Sequence, residues 1–258
     1  MLLPSPVTGA QPARRIVSLV PSVTELLAYF DLDKETIGIT KFCVHPAKWF
    51  RNKTRIGGTK DFNIEKIVAL RPDLVLCNKE ENSREPVEIL AATLPVYLSD
   101  VSTVEDALNM IRDIGALTGK VPEAHALIEK IITAFGTISP GSPPIRTAYL
   151  IWKDPYMTAG GDTFISDMMA KAGFENIFEN SMRYPTVSLQ ELAELAPQLV
   201  LLSSEPFPFK EKHVAELQIA LPGTDLRLAD GEMFSWYGSR MALAPDHFLA
   251  LRRQIQSP

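Results

Sequence analysis

The chain repeats itself. Residues 64–76, IEKIVALRPDLVL, and residues 189–201, LQELAELAPQLVL, share one layout: a short amphipathic helix, a proline, then an apolar strand. Each half also opens alike, with Arg15-Ile16-Val17-Ser18-Leu19 and Arg146-Thr147-Ala148-Tyr149-Leu150. A repeat of whole α/β units predicts two similar lobes rather than one continuous sheet. Between them lies Pro122 to Ile138, with apolar residues at Ala124, Leu127, Ile128, Ile131, Ile132, Phe135 and Ile138. That is the i, i+3, i+4, i+7 spacing of an amphipathic helix. Pro122 suits a first turn, and Gly136 with the run Ser139-Pro140-Gly141-Ser142-Pro143-Pro144 stops it. At 1.5 Å per residue the helix makes a strut of about 25 Å.

The expected organisation is a disordered lead-in over 1–13, an N-terminal α/β lobe over 14–121, the bridging helix over 122–138 and a C-terminal α/β lobe over 145–258. With 258 residues, 46% of them hydrophobic, the chain can bury a core in each lobe. Mean hydropathy is +0.03, and no run approaches the ~18 apolar residues of a transmembrane helix. The net charge of −5, with both signs interspersed, argues against a nucleic-acid partner. The start MLLPSPVTGAQPARR does not read as a secretory signal.

Strands alternating with helices predict a mostly parallel sheet in each lobe, with ligands beyond the carboxyl ends of the strands. Several boundaries are legible. Ser22-Val23-Thr24-Glu25 reads as a capping box, Asn63 and Asp162 as N-caps, Gly173 as a C′ residue and Pro245 as a kink in the last helix.

The strand-end loops are rich in aromatics: Phe42, Trp49 and Phe50 in the first half, Trp152, Tyr156, Phe234, Trp236 and Tyr237 in the second. Rings on loops can line a concave apolar site, or fill the lobes' own cores. Trp236 and Tyr237, between Asp-Gly and Gly-Ser turns, are read as ligand-facing, as is Tyr156; Phe50 and Trp152 are read as core. Gly160-Gly161-Asp162 is either an anion-binding turn or a plain turn and cap. Cys43, His45 and Cys77 offer an alternative metal or redox site, but three scattered ligands fall short of a zinc pattern. No nucleophile–base motif is present, so a binding role fits better than an enzyme role.

The order of these segments resembles the helical-backbone (class III) periplasmic binding proteins of ABC importers, most closely the cobalamin-binding type. The likeness rests on Arg15–Leu19, Pro21-Ser22, Thr24–Leu26, Gly38-Ile39, Asn63–Val75, Gly173–Phe178, Val187–Leu189 and Pro197-Gln198, and spans residues 14 to 256. It implies two α/β lobes clamping a corrinoid or another metal chelate, with no covalently bound cofactor. It places Phe42 against the ligand, with the run Glu232, Met233, Phe234, Ser235 and Trp236. It implies docking on an ABC permease through Glu65 and the position of Gln190, beside Glu191 and Glu194. A monomer is expected. The resemblance implies a periplasmic location, with a cytoplasmic one as the alternative. The sibling reading is a ferric siderophore or haem, which would call on Lys41, Lys60, Arg183 and Arg240 as anion partners.

Overall fold

A computed structural model describes residues 2–3, 11–138 and 143–256. The chain divides into two compact units. The first comprises Met1–Val101, Glu105–Lys130 and Tyr237–Arg240; the second comprises Ser102–Val104, Ile131–Trp236 and Met241–Pro258.

In chain order the first part contains β1 (Leu2–Leu3), β2 (Ile16–Ser18), α1 (Pro21–Tyr29), β3 (Thr36–Ile39), α2 (Ala47–Asn52) and β4 (Thr54–Arg55). It continues with α3 (Ile64–Ala69), β5 (Leu74–Asn78), α4 (Arg84–Ala91), β6 (Val96–Ser99) and α5 (Val104–Thr118). Its six strands run parallel in the order β1-β6-β5-β2-β3-β4. Strand period 2 sorts the apolar residues: Val17, Leu19, Val75 and Cys77 join Ile56, Ile67 and Leu90 in one core cluster. Leu2 and Leu3 pair with Val96 and Tyr97, inside the segment expected to be a disordered lead-in. The remainder of that segment up to Ala10 lies outside the described residues.

The strut expected over 122–138 is α6 (Val121–Gly136), and the division between the units falls within it, after Lys130. Ala124, Leu127, Ile128 and Ile131 are buried, as the spacing predicted, while Ile132 is 55% exposed. An added Cβ at Gly115 on α5 would stand 2.5 Å from Ala124 Cβ, so that glycine lets the two helices close on each other. Of the run expected to stop the strut, residues 139–142 lie outside the described residues.

The second part contains β7 (Ile145–Trp152), β8 (Met157–Thr158), α7 (Phe164–Lys171), β9 (Phe174–Asn176), α8 (Leu189–Leu195), β10 (Leu199–Ser203) and α9 (Glu211–Ala220). It ends with β11 (Asp225–Ala229), α10 (Glu232–Ser235), a 3-10 turn (Ser239–Ala242) and α11 (Ala244–Gln256). The sheet order is β11-β10-β7-β8, with β9 beside the first residues of β7; β8 alone pairs antiparallel. Ala148, Leu150, Val200, Leu202 and Leu226 pack with Leu192 and Leu217 on one face. Tyr149 takes the other face, against Phe234.

The repeat survives in the local geometry. Asn63 Oδ1 accepts the Lys66 amide at 2.7 Å, and Ser188 Oγ accepts the Glu191 amide at 3.0 Å, so α3 and α8 start on matching caps. Both end on a left-handed residue, Arg71 (φ 48°) and Ala196 (φ 44°). Three boundary expectations are corrected. Ser22 is not a cap, because α1 starts one residue earlier with Pro21 in its first turn. Thr163, not Asp162, caps α7, accepting the Ser166 amide. Pro245 lies in the first turn of α11, where it kinks nothing. Gly173 does follow α7 in the left-handed region, at φ 79°. Among the described residues no helix is long and apolar enough to cross a membrane.

Candidate functional site

In the first unit the turn after β3 carries Phe42, half exposed, with the Lys41 ammonium 5.2 Å above its ring. Thr40 shapes this turn. Its Oγ1 accepts the Phe42 amide at 3.2 Å and lies 3.1 Å from Cys43 Sγ, which Thr24 Oγ1 also approaches to 3.1 Å. The buried thiol pins the turn from below and leaves the ring in solvent. Trp49 is buried, while Phe50, read as core, is half-buried with the Arg55 guanidinium 5.0 Å from its ring centre.

Burial pushes the Cys43 and Cys77 thiols up from their usual values, which disfavours the thiolate a metal needs. Cys77 packs in the β-sheet core. His45 is half-buried ahead of a cis proline, Pro46. Among the described residues no three His, Cys, Asp or Glu side chains are grouped to hold a metal. The alternative site of Cys43, His45 and Cys77 is not assembled.

The loop after β5 is a hydrogen-bonded unit. Asn78 Oδ1 accepts the Glu80 and Glu81 amides at 2.8 and 3.2 Å, and Asn82 Nδ2 donates to Leu19 and Thr59 carbonyls.

In the second unit the aromatic assignments change places. Trp152, expected in the core, is 41% exposed at the end of β7, its ring edge-on to Phe207 at 5.8 Å. It is the last residue of β7 and pairs with Met157 of β8. Tyr156 is instead half-buried against the sheet core. The amides of Gly160 and Gly161 donate to the Arg183 and Ser181 carbonyls at 2.7 and 2.9 Å, so this turn presents neither to an anion.

The loop after β11 holds most of the expected ligand residues, at different depths. Phe234 is fully buried between Tyr149 and Phe248, at centroid distances of 5.1 and 4.6 Å, so it anchors the loop instead of meeting a ligand. Glu232, Met233 and Ser235 are half-buried; Trp236 and Tyr237 are mostly covered by the chain itself, at 8% and 5% exposed. Trp236 Nε1 donates to Glu205 Oε1 at 2.8 Å, and Ser235 Oγ donates to the same oxygen at 2.6 Å. Burial raises the pKa of Glu205 above the usual glutamate value; nearby Glu232 and Asp230 push it the same way, and the two donors oppose them. Gly231 makes this approach feasible, since an added Cβ would sit 2.7 Å from Glu205 Cγ. Beside the loop is a cavity of about 480 Å3, lined by Leu202, Ser204, Phe209, Leu228, Asp230 and Glu232 among others.

Sequence reading missed Glu205, Asn78 and Asn82. The available signal was position: Asn78 ends β5, Asn82 lies in the loop after it and Glu205 in the loop after β10, all at the carboxyl ends that parallel sheets turn toward ligands.

Three of the four cations named for an anionic ligand have carboxylate partners. Arg240 grips Glu25 through Nε at 3.0 Å and Nη2 at 2.5 Å; Lys41 meets Asp61 at 3.4 Å and Arg183 meets Asp162 at 4.0 Å. Glu65 and Gln190 stand at the same place, two residues after their helix caps, and both are exposed. Glu191 is exposed beside Gln190, whose Nε2 donates to Glu194 Oε1 at 2.9 Å.

Comparison with known proteins adds three findings. A sequence profile for the periplasmic binding protein family matches residues 16–218. A vitamin B12-binding protein of Yersinia pestis is 28% identical over 199 residues, spanning 75% of this chain and 71% of that protein. By structure, the apo periplasmic haem-binding protein RhuT of Roseiflexus superposes with a TM-score of 0.79 at 19% identity, covering 95% of this chain and 100% of that one. The periplasmic vitamin B12-binding protein BtuF of Vibrio cholerae gives 0.76 at 20% identity, covering 96% and 99%. At these identities the two structures speak for the fold alone.

Proposed function

The chain belongs to the periplasmic binding protein family, and we propose from that premise that it is the solute-binding component of an ABC-type importer. Its cargo, in this reading, is a cobalamin-like corrinoid, bound without chemistry. The observation that carries the choice of cargo is the match to a vitamin B12-binding protein along three quarters of the chain. The site chemistry supports it. Phe42 offers an exposed ring face, which supplies apolar area at little entropic cost. Lys41, Arg183 and Arg240 already face carboxylates, which speaks against a strongly anionic siderophore or the propionates of haem.

The working place in this proposal is the periplasm, and the partner is a membrane permease. Glu65 in the first unit and Gln190 with Glu191 in the second are the docking residues; exposed charge at such points gives orientation and on-rate more than affinity. Titration calorimetry against cobalamin, cobinamide, haem and a ferric siderophore tests the cargo. Saturable binding of the corrinoids, with haem and siderophore at least about tenfold weaker, is the expected result. Tighter binding of haem or siderophore would replace the cargo and leave the carrier role standing.

A further inference from the structure

We propose that Glu205 is a positioning residue of the solute site: one oxygen of its carboxylate holds the side chains of Ser235 and Trp236 in the arrangement that receives the solute. The inference rests on the solute-binding reading above. Glu205 follows β10, and the residues it holds lie 30 and 31 positions later, in the loop after β11. The carboxylate therefore ties together two strand-end loops on the side of the sheet where ligands bind.

The tie is anchored at both ends. On the Glu205 side, Ser203 Oγ donates to the Glu205 carbonyl at 2.5 Å and accepts its amide at 3.3 Å, while Tyr149 OH donates to Ser203 Oγ at 3.2 Å. On the other side, the Ser235 and Trp236 amides donate to the Gly231 and Glu232 carbonyls, and buried Phe234 roots the loop after β11 against Tyr149 and Phe248. Ser235 has one hydroxyl proton, with the Gly231 carbonyl also in reach at 2.9 Å. The Glu205 oxygen is the nearer acceptor, at 2.6 Å, and takes that proton. Trp236 has a single polar atom, and this bond sets the direction of its indole. Without the bond the largely buried indole N–H would lack this acceptor and the ring would shift in its packing, so the tie acts through preorganisation. Glu205 need not touch the solute.

Calorimetry with cobalamin on Glu205→Gln, Glu205→Ala, Trp236→Phe and the Glu205→Ala/Trp236→Phe pair tests this. Glu205→Gln keeps an oxygen that accepts both bonds and is expected to bind within about threefold of wild type, whereas Glu205→Ala should weaken binding at least about tenfold. In the Trp236→Phe background, which has no N–H to hold, the alanine effect should shrink by at least about threefold, the signature of coupled residues. Unchanged affinity in Glu205→Ala, or effects that simply multiply, would overturn the proposal. A second readout needs no solute: the wild-type minus Trp236→Phe emission spectrum isolates Trp236, and Glu205→Ala should shift that difference spectrum. If wild type binds no cobalamin, the corrinoid reading fails, yet the emission comparison still decides whether Glu205 holds the indole. An unshifted spectrum sinks the tie in either case.

Discussion

Arg146 does for α8 what Arg15 does for α3. The Arg146 guanidinium donates to the Ala196 and Leu195 carbonyls at 3.0 and 2.9 Å; the Arg15 guanidinium donates to Arg71 and Leu70 carbonyls at 3.0 and 2.6 Å. Their backbone amides are held in parallel too, by Gln198 Oε1 at 2.9 Å and Asp73 Oδ1 at 2.8 Å. In each unit an arginine at the start of β2 or β7 satisfies carbonyls at the helix end, and the residue after the proline holds that arginine's amide. The repeat is therefore one of working parts as well as of pattern.

Removing either clamp should cost stability. Arg146→Ala is expected to lower unfolding free energy by about 2 kcal/mol and the more exposed Arg15→Ala by about 1 kcal/mol, since water can replace the arginine better at the open site. Urea denaturation measures both.

Two aromatics from one list of candidates should separate cleanly. Phe234→Ala leaves a hole between Tyr149 and Phe248 and should destabilise the fold by about 3–5 kcal/mol. Phe42→Ala, at an exposed turn, should change stability by less than about 0.5 kcal/mol. It should instead weaken corrinoid binding by about 1–3 kcal/mol, the scale of a covered aromatic face. Denaturation and calorimetry on the same two variants give the comparison.

Glu205 also predicts a pH dependence. A carboxylic acid whose native pKa is raised holds its proton more tightly folded than unfolded. Its contribution is full below the ordinary glutamate range and is lost as pH rises through the raised native value. Asp230 and Glu232 face it from the β11 loop and disfavour its ionisation, while Ser235 and Trp236 donate to it and favour the charged form. Glu205→Gln cannot ionise, so its stability relative to wild type should grow as pH rises above that range. Melting curves from acid to neutral pH would show it; a pH-independent difference would mean that the native carboxyl is not shifted.

The thiols should be inert in the native chain. Cys43 and Cys77 are both free, buried and held protonated. A thiol reagent should label neither within minutes under native conditions and both in denaturant. Cys77→Ser, which places a hydroxyl in an apolar cluster, should destabilise the fold by about 1–3 kcal/mol without changing solute affinity.

Much of the layout was legible beforehand. Helix periodicity marked the buried face of α6 at Ala124, Leu127, Ile128 and Ile131, and Asn63 marked the cap of α3 by residue type alone. Reading failed where depth mattered. Trp152 and Phe234 are both large rings next to strand ends, yet one is 41% exposed and the other wholly buried. Nothing in their neighbours along the chain distinguishes them. Cap assignments failed for a related reason. Ser22 sits where a capping box fits, but Pro21 already begins the helix, and Glu25 is engaged by Arg240 from 215 residues away.

The sequence by itself determined the two alternating α/β halves, the helix between them and the strand ends at which a ligand site belongs. Those follow from local periodicity, proline and glycine placement and residue type, which act over a few neighbouring positions. Only the tertiary structure decided that Phe42 stays in solvent, that Phe234 becomes core and that Glu205 takes hold of Trp236. Those outcomes depend on which side chains from distant segments fill the remaining space and reach the remaining donors, and distance along the chain carries no record of that.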